Sequence, residues 1–381
     1  MTLTRISSSP TRSPKGAESR QNLPGRVVLV MQGGGALGAF QAGVYQALHE
    51  AGIEPDWVVG TSIGAINGAL IAGNAPSLRL QRLRAFWQRM TQPASAAAAW
   101  HDVYGLGRWW RNWETLTRGI GGFFVPNPAS WLAPAEEGRH GAGALYNTAP
   151  LRETLHELVD FERLASGAPR LTVGAVNVRS GRMRYFDARD EALGVDHVMA
   201  SAALPPAFPA VMIDVQAYWD GGIYSNTPLD VVMDDAPRRS SIIFAAQLWQ
   251  KEGDIPRSVS QTLRRHKDIQ YASRAETHAA HQQQLHRLRH VVSQLGKMLP
   301  EDRRKEAAVR ALLDHGCMTV MHFVPLRAPV ISGEDHTKDI DFSAESVAAR
   351  WQAGYEQARD RLQRAAWAAE LDPLSGVVIH D

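Results

Sequence analysis

Gly60-Thr61-Ser62-Ile63-Gly64 is the stretch that decides the fold. Val58 and Val59 before it read as the end of a short apolar strand. Ala65 to Ala72 after it read as an alanine-rich helix. A serine on so sharp a strand-to-helix turn is forced outward, away from the sheet. The crowding leaves room only for glycine two residues before and two residues after it. This is the geometry of a nucleophile elbow, with Ser62 as the candidate nucleophile and Gly60 and Gly64 flanking it. A glycine-rich turn of this kind also occurs as plain structure, so the pentapeptide needs companions.

The residues upstream supply the first. Val27-Val28-Leu29-Val30-Met31 is an all-apolar run that fits a strand buried on both faces. Gly33-Gly34-Gly35 follows it. From Ala36 to Glu50, the residues Leu37, Phe40, Val44 and Leu48 fall on one helical face, and Gly52 ends the helix. Trp57-Val58-Val59 then opens the second strand. Strand, helix, strand and helix in this order predict a right-handed βαβ unit and a parallel sheet. Both strands would end at the same sheet edge, so the glycine loop would face Ser62. Successive glycines let backbone N–H groups point into one cavity, where they can hold a phosphate or a tetrahedral oxyanion.

The phosphate option has a specific form. Gly33-Gly34-Gly35-Ala36-Leu37-Gly38 matches G-x-G-x-x-G. A dinucleotide site also needs an acidic residue at the C-terminal end of the second strand. That strand runs into Gly60-Thr61-Ser62, and Glu54 and Asp56 precede it, at the wrong end of the sheet. A nicotinamide cofactor is therefore disfavoured.

The second companion is Asp220-Gly221-Gly222, after a short strand read at Val215–Trp219. A serine needs a base to become a nucleophile. An aspartate on a Gly-Gly turn can approach closely, although the same residues also make an ordinary turn. A Ser-Asp-His triad is the competing arrangement. Fourteen histidines are present, and His322 lies beside a predicted strand. None sits in a comparably shaped turn, and Ser62 comes early in the chain for that fold, so His322 reads as a core or edge histidine.

Bulk properties narrow the classes. The chain has 381 residues, 44% of them apolar, enough for one large α/β domain with an appendage. A net charge of +2 gives no case for nucleic acid. Cys317 is the single cysteine, so no disulfide can form within the chain; this favours a reducing, cytoplasmic setting. No apolar run reaches the roughly 18 residues a membrane-spanning helix needs. Residues 1–26 carry serine, proline and basic residues without an apolar stretch, which predicts a disordered basic arm.

Residues 92–147 differ in composition and hold Trp100, Trp109, Trp110, Trp113 and Trp131. This segment reads as a lid or insertion, with acyl-site lining, interfacial contact and plain core filling as its options. A helix is predicted at 149–160. Strands are predicted at 171–178 and 183–186, joined at Ser180-Gly181, and again at 242–248 and 319–324. Two long polar helices, near 258–314 and 343–371, complete a C-terminal extension. His286 and His290 on the first of these are spaced for metal ligation. No carboxylate or cysteine completes a motif, so a solvated polar face is expected there.

Taken in order, the glycine loop, Gly60-Thr61-Ser62-Ile63-Gly64 and Asp220-Gly221-Gly222 resemble the patatin-like phospholipase family of serine hydrolases. Ala200-Ser201-Ala202-Ala203-Leu204-Pro205-Pro206-Ala207-Phe208-Pro209 resembles a family segment that precedes the aspartate. The resemblance covers about 27–237, and the chain is similar to a bacterial subgroup with an extra C-terminal domain, here 238–381. It implies a three-layer α/β fold with a mostly parallel central sheet and a largely helical C-terminal extension. It implies a Ser62–Asp220 dyad, an oxyanion hole at Gly33, Gly34 and Gly35, an acyl-enzyme, and no metal or cofactor. A lipid or ester substrate and peripheral membrane contact would follow. Leu37 stands where many members carry Arg or Lys, which weakens a phosphate headgroup more than it weakens hydrolysis. A non-catalytic lipid or acyl-chain binding scaffold is the alternative, and a dinucleotide-binding protein a distant third.

Overall fold

The computed structural model describes residues 23–91, 114–128, 143–167, 169–331, 333–368 and 375–380, with the backbone alone at 273–279. The five tryptophans of the predicted lid and most of the basic arm lie outside the described residues.

Nine strands form one sheet: β1 (Arg26–Met31), β2 (Trp57–Thr61), β3 (Arg170–Asn177), β4 (Met183–Asp187), β5 (Val211–Ile213), β6 (Gln216–Asp220), β7 (Ser241–Gln247), β8 (Met321–Arg327) and β9 (Val377–Ile379). Their order is β9-β8-β7-β1-β2-β3-β6-β5, with β4 paired to β3. From β9 to β3 every ladder is parallel; β4, β5 and β6 pair antiparallel. The sheet is therefore mostly parallel, as the βαβ order predicts.

Continuous apolar strands mean two covered faces. Val27, Leu29 and Met31 enter the larger core, while Val28 and Val30 enter a second one with Trp57, Ile243 and Phe323. The helices over the larger core include α1 (Ala39–Glu50), α2 (Ile63–Ala72) and α3 (Pro76–Met90). Three more are α4 (Ala149–Leu158), α5 (Val195–Ser201) and α6 (Val259–Met298). The last long helix is α7 (Ala344–Arg364).

The extension supplies β7, β8 and β9 to the same sheet, and β7 lies directly against β1. Its last helix is bound as closely. A Cβ on Gly43 of α1 would run into the Trp351 carbonyl of α7, and a Cβ on Gly354 of α7 would run into the Phe40 carbonyl of α1. The two helices thus touch backbone to backbone at reciprocal glycines. The predicted helix at 258–314 is broken: α6 stops at Met298, Pro300 follows, and two short helices carry the chain to Leu313.

Candidate active site

The elbow is built as its glycines require. Ser62 follows the last residue of β2 with φ 57° and ψ −125°, a region that L-residues rarely occupy. A Cβ at Gly60 would strike the Gly64 carbonyl, and one at Gly64 would strike the Met31 carbonyl. The Ser62 N–H donates to the carbonyl and hydroxyl of Ser201, both at 3.1 Å, and the Ser201 hydroxyl donates to Gly174 O at 2.7 Å. Ser201 is therefore the strut under the elbow.

Strand pairing brings Asp220 to the same place. Thr61 is opposite Gly174 in the β2–β3 ladder, and Asp220 is opposite Ala175 in the β3–β6 ladder. Because β4 occupies the other edge of β3 over Thr172–Val176, β2 and β6 share one edge, end to end. The aspartate thus follows β2 on that edge where the chain turns off at Ser62. Its side chain is 1% exposed. Oδ1 accepts from the Gly222 N–H at 2.7 Å, and Oδ2 has no partner at full hydrogen-bonding distance. Burial pushes the carboxyl up to about 7, against the opposing pull of the Ser62 hydroxyl and the Gly222 N–H. The Ser62 hydroxyl is thus near enough to favour the charged form without completing a hydrogen bond to Oδ2.

The glycine loop is the third wall. A Cβ on Gly33 would lie 3.0 Å from Ser62 Cβ. The Gly33 N–H is already taken by Asn226 O at 3.2 Å. Its carbonyl accepts from Asn226 Nδ2 at 3.0 Å and from Trp249 Nε1 at 2.8 Å. Gly33 is therefore the residue of close approach, while the Gly34 and Gly35 N–H groups have no acceptor among the described residues. At the open N-terminus of α2, the N–H groups of Ile63 and Gly64 lack intrahelical partners as well.

Several positioning groups carried no recognisable motif. Gln32 is buried and bonds Thr227 Oγ1, Tyr271 O and the N–H groups of Leu248 and Trp249. Its carbonyl accepts from Gln41, which bonds Asn67, which in turn accepts from Trp87 Nε1. Gln32 had one signal: it is a lone amide directly after five apolar residues. Asn226 and Trp249 had none.

Ser62, Asp220 and the three glycines line one cavity of about 170 Å³. Its far wall is aromatic. Phe124 meets Tyr146 with ring centroids 4.7 Å apart, and Phe123 meets Phe208 at 5.6 Å and Phe342 at 6.2 Å. Two carboxylates, Asp220 and Asp339, lie among the described lining residues, with no cation and no histidine. Leu37 is not among the lining residues; it is buried in the core beside α1.

Residues 29–233 match the family described as patatin-like phospholipase. The chain belongs to this family. A second family description, patatin phospholipase, matches residues 269–374. Over 56 residues, 14% of its length, the chain is 59% identical to lysophospholipase nte1 of Aspergillus terreus. Over 66 residues it is 47% identical to patatin-like phospholipase domain-containing protein 6 of Homo sapiens. It spans only 4% and 5% of the length of these two curated relatives. VipD from Legionella pneumophila is similar at 17% identity and a TM-score of 0.38, over 90% of this chain and 67% of that one. A hydrolase acting on lipid esters is the activity that family membership supports.

Other singled-out residues lie elsewhere. His322 on β8 contacts His380 at 3.0 Å, at the opposite end of the sheet from β6. The solvated face expected at His286 and His290 is wrong: both are buried, and His290 Nε2 contacts Thr319 O at 2.8 Å. Burial pushes His286 down to about 4. Among the described residues no cluster of three or more His, Cys, Asp or Glu side chains is arranged for a metal. No described helix is long and apolar enough to cross a membrane.

Proposed function

We propose that the protein cleaves carboxylic esters of lipid-like substrates through a Ser62–Asp220 dyad and an acyl-enzyme. One observation carries the reading: a serine held in a strained backbone conformation beside a buried carboxylate that has an unsatisfied oxygen. Asp220 takes the Ser62 proton as Oγ attacks the ester carbonyl. The Gly34 and Gly35 N–H groups, with Ile63 N–H from α2, stabilise the oxyanion. Loss of one such donor costs about 3–4 kcal/mol of barrier. Asp220 returns the proton to the departing alcohol, then activates water to release the acid.

The aromatic wall suits an acyl chain. No cation lines the described cavity to hold a phosphate beside the scissile bond, so neutral esters are the favoured substrates. In this reading residues 27–237 form the hydrolase body, and the extension at 238–381 completes its cavity. Lipid-like substrates would bring the protein into peripheral contact with a lipid surface. A fluorophosphonate probe should label wild type at Ser62 and leave Ser62→Ala unlabelled. An ester panel of phospholipids, monoacyl esters and hydroxybutyrate oligomers then fixes the class. A wild type that neither labels nor turns over any ester would end the proposal.

A further inference from the structure

Among the described lining residues, the Tyr271 hydroxyl is a polar group that the dyad leaves unused. Tyr271, on α6, lines the cavity with Ser62 and Asp220. Two contacts fix it from behind. Its carbonyl accepts from Gln32 Nε2 at 3.1 Å. Its ring packs on the Trp249 indole with centroids 4.8 Å apart, and that indole holds the Gly33 carbonyl. Tyr271 is therefore registered against the glycine loop through one intervening residue. Among the described residues, no group accepts from its hydroxyl or donates to it. Asp339, held by Lys267 through both carboxylate oxygens at 2.8 and 2.9 Å, makes no hydrogen bond to it. Burial, with Asp339 and Asp220 nearby, pushes the phenol up, so it remains a donor at neutral pH.

We propose that the Tyr271 hydroxyl hydrogen-bonds the alcohol oxygen of the bound ester and stabilises charge on it as the acyl–oxygen bond breaks. This rests on the hydrolase reading above. When the tetrahedral intermediate collapses, the carbon–oxygen bond breaks and its electron pair goes to the leaving oxygen. Asp220 supplies the proton, and Tyr271 keeps its own. The C-terminal extension then contributes a substrate-touching group as well as a wall. The need for such a donor rises with the basicity of the leaving alcohol. An alkoxide needs it, and a nitrophenolate, which delocalises its charge, does not.

Tyr271→Phe removes the hydroxyl and keeps the ring on Trp249. The kcat/KM of wild type and variant is measured on an alkyl ester and a p-nitrophenyl ester of the same acyl chain, beside fluorophosphonate labelling of Ser62. A hydrogen bond to a developing charge predicts a loss of about tenfold or more on the alkyl ester. The nitrophenyl ester and the labelling rate should stay within about twofold. Equal losses on both esters would reveal a packing role and overturn the proposal, and so would no loss on either. Partial misfolding lowers both rates alike, so the ratio still decides. A wild type inert to both esters and to the probe would overturn the hydrolase reading and this proposal together.

Discussion

Replacing Asp220 with asparagine should cut turnover steeply and make the protein more stable above neutral pH. The carboxyl is pushed from 3.8 to about 7 by burial. The native state therefore binds this proton more tightly than the unfolded chain does. Between about pH 4 and pH 7 stability should fall as pH rises, and above pH 7 the full cost of burying the charge remains. At about 1.4 kcal/mol per pKa unit, that cost is on the order of 4 kcal/mol. Asparagine keeps the Oδ1 that accepts from Gly222 N–H. It places an NH2 where Oδ2 already lacks a partner, which gives back about 1–3 kcal/mol. The expected net gain for Asp220→Asn is about 1–3 kcal/mol at pH 8. Near pH 4, where the wild-type carboxyl is neutral, only the unpartnered NH2 is left in the balance, and the substitution should instead cost about 1–3 kcal/mol. Urea unfolding of both proteins at pH 4.5 and pH 8 measures this directly, since other titrating groups cancel in the difference. A stability difference that does not change between the two pH values would refute the reasoning. Turnover should fall by about 10²–10⁴-fold, as for loss of a general base.

The same carboxyl predicts that wild-type kcat/KM rises with pH through an inflection near 7 and then levels off; an activity maximum well below pH 6 would contradict Asp220 as the base. Ser62→Gly should abolish turnover while raising stability by about 1–3 kcal/mol, because glycine adopts positive φ without strain; thermal melting checks it. Gly354→Ala should lower stability by about 2 kcal/mol or more, since the new methyl meets the Phe40 carbonyl, and Gly354→Ser should do at least as much harm. Gln32→Leu strands the bonds from the Leu248 and Trp249 N–H groups and should cost about 2–4 kcal/mol of stability, with kcat falling further than the loss of folded protein explains.

The parts of the fold that were legible rest on local sterics. The all-apolar β1, the glycines around Ser62 and the amphipathic run in α1 impose their structure within a few residues. The parallel sheet follows from their order. What puts Asp220 beside the elbow is different, because it depends on β2 and β6 sharing one edge of β3. That depends on strand pairing between distant residues, Thr61 with Gly174 and Ala175 with Asp220, which no local pattern reports; the sequence offered Asp220 only as a candidate base. Asn226, Trp249 and Tyr271 were illegible for the same reason: their partners, Gly33 and Gln32, lie far away in the chain, while Gln32 itself showed only as a lone amide after an apolar run. His286 and His290 were misread because helical spacing reports which residues share a face, not whether that face is covered. The short β5 and β9 gave no periodic signal at all.

The backbone contact of α1 with α7 at Gly43 and Gly354 leaves no gap for side chains to cushion, so a shift of α7 would pass directly to the segment just after the glycine loop. Removing that helix to obtain a minimal catalyst would uncover the apolar flank of α1 and free the loop to wander. The extension is better regarded as part of the catalyst's frame, and engineering of substrate range should keep α7 in place.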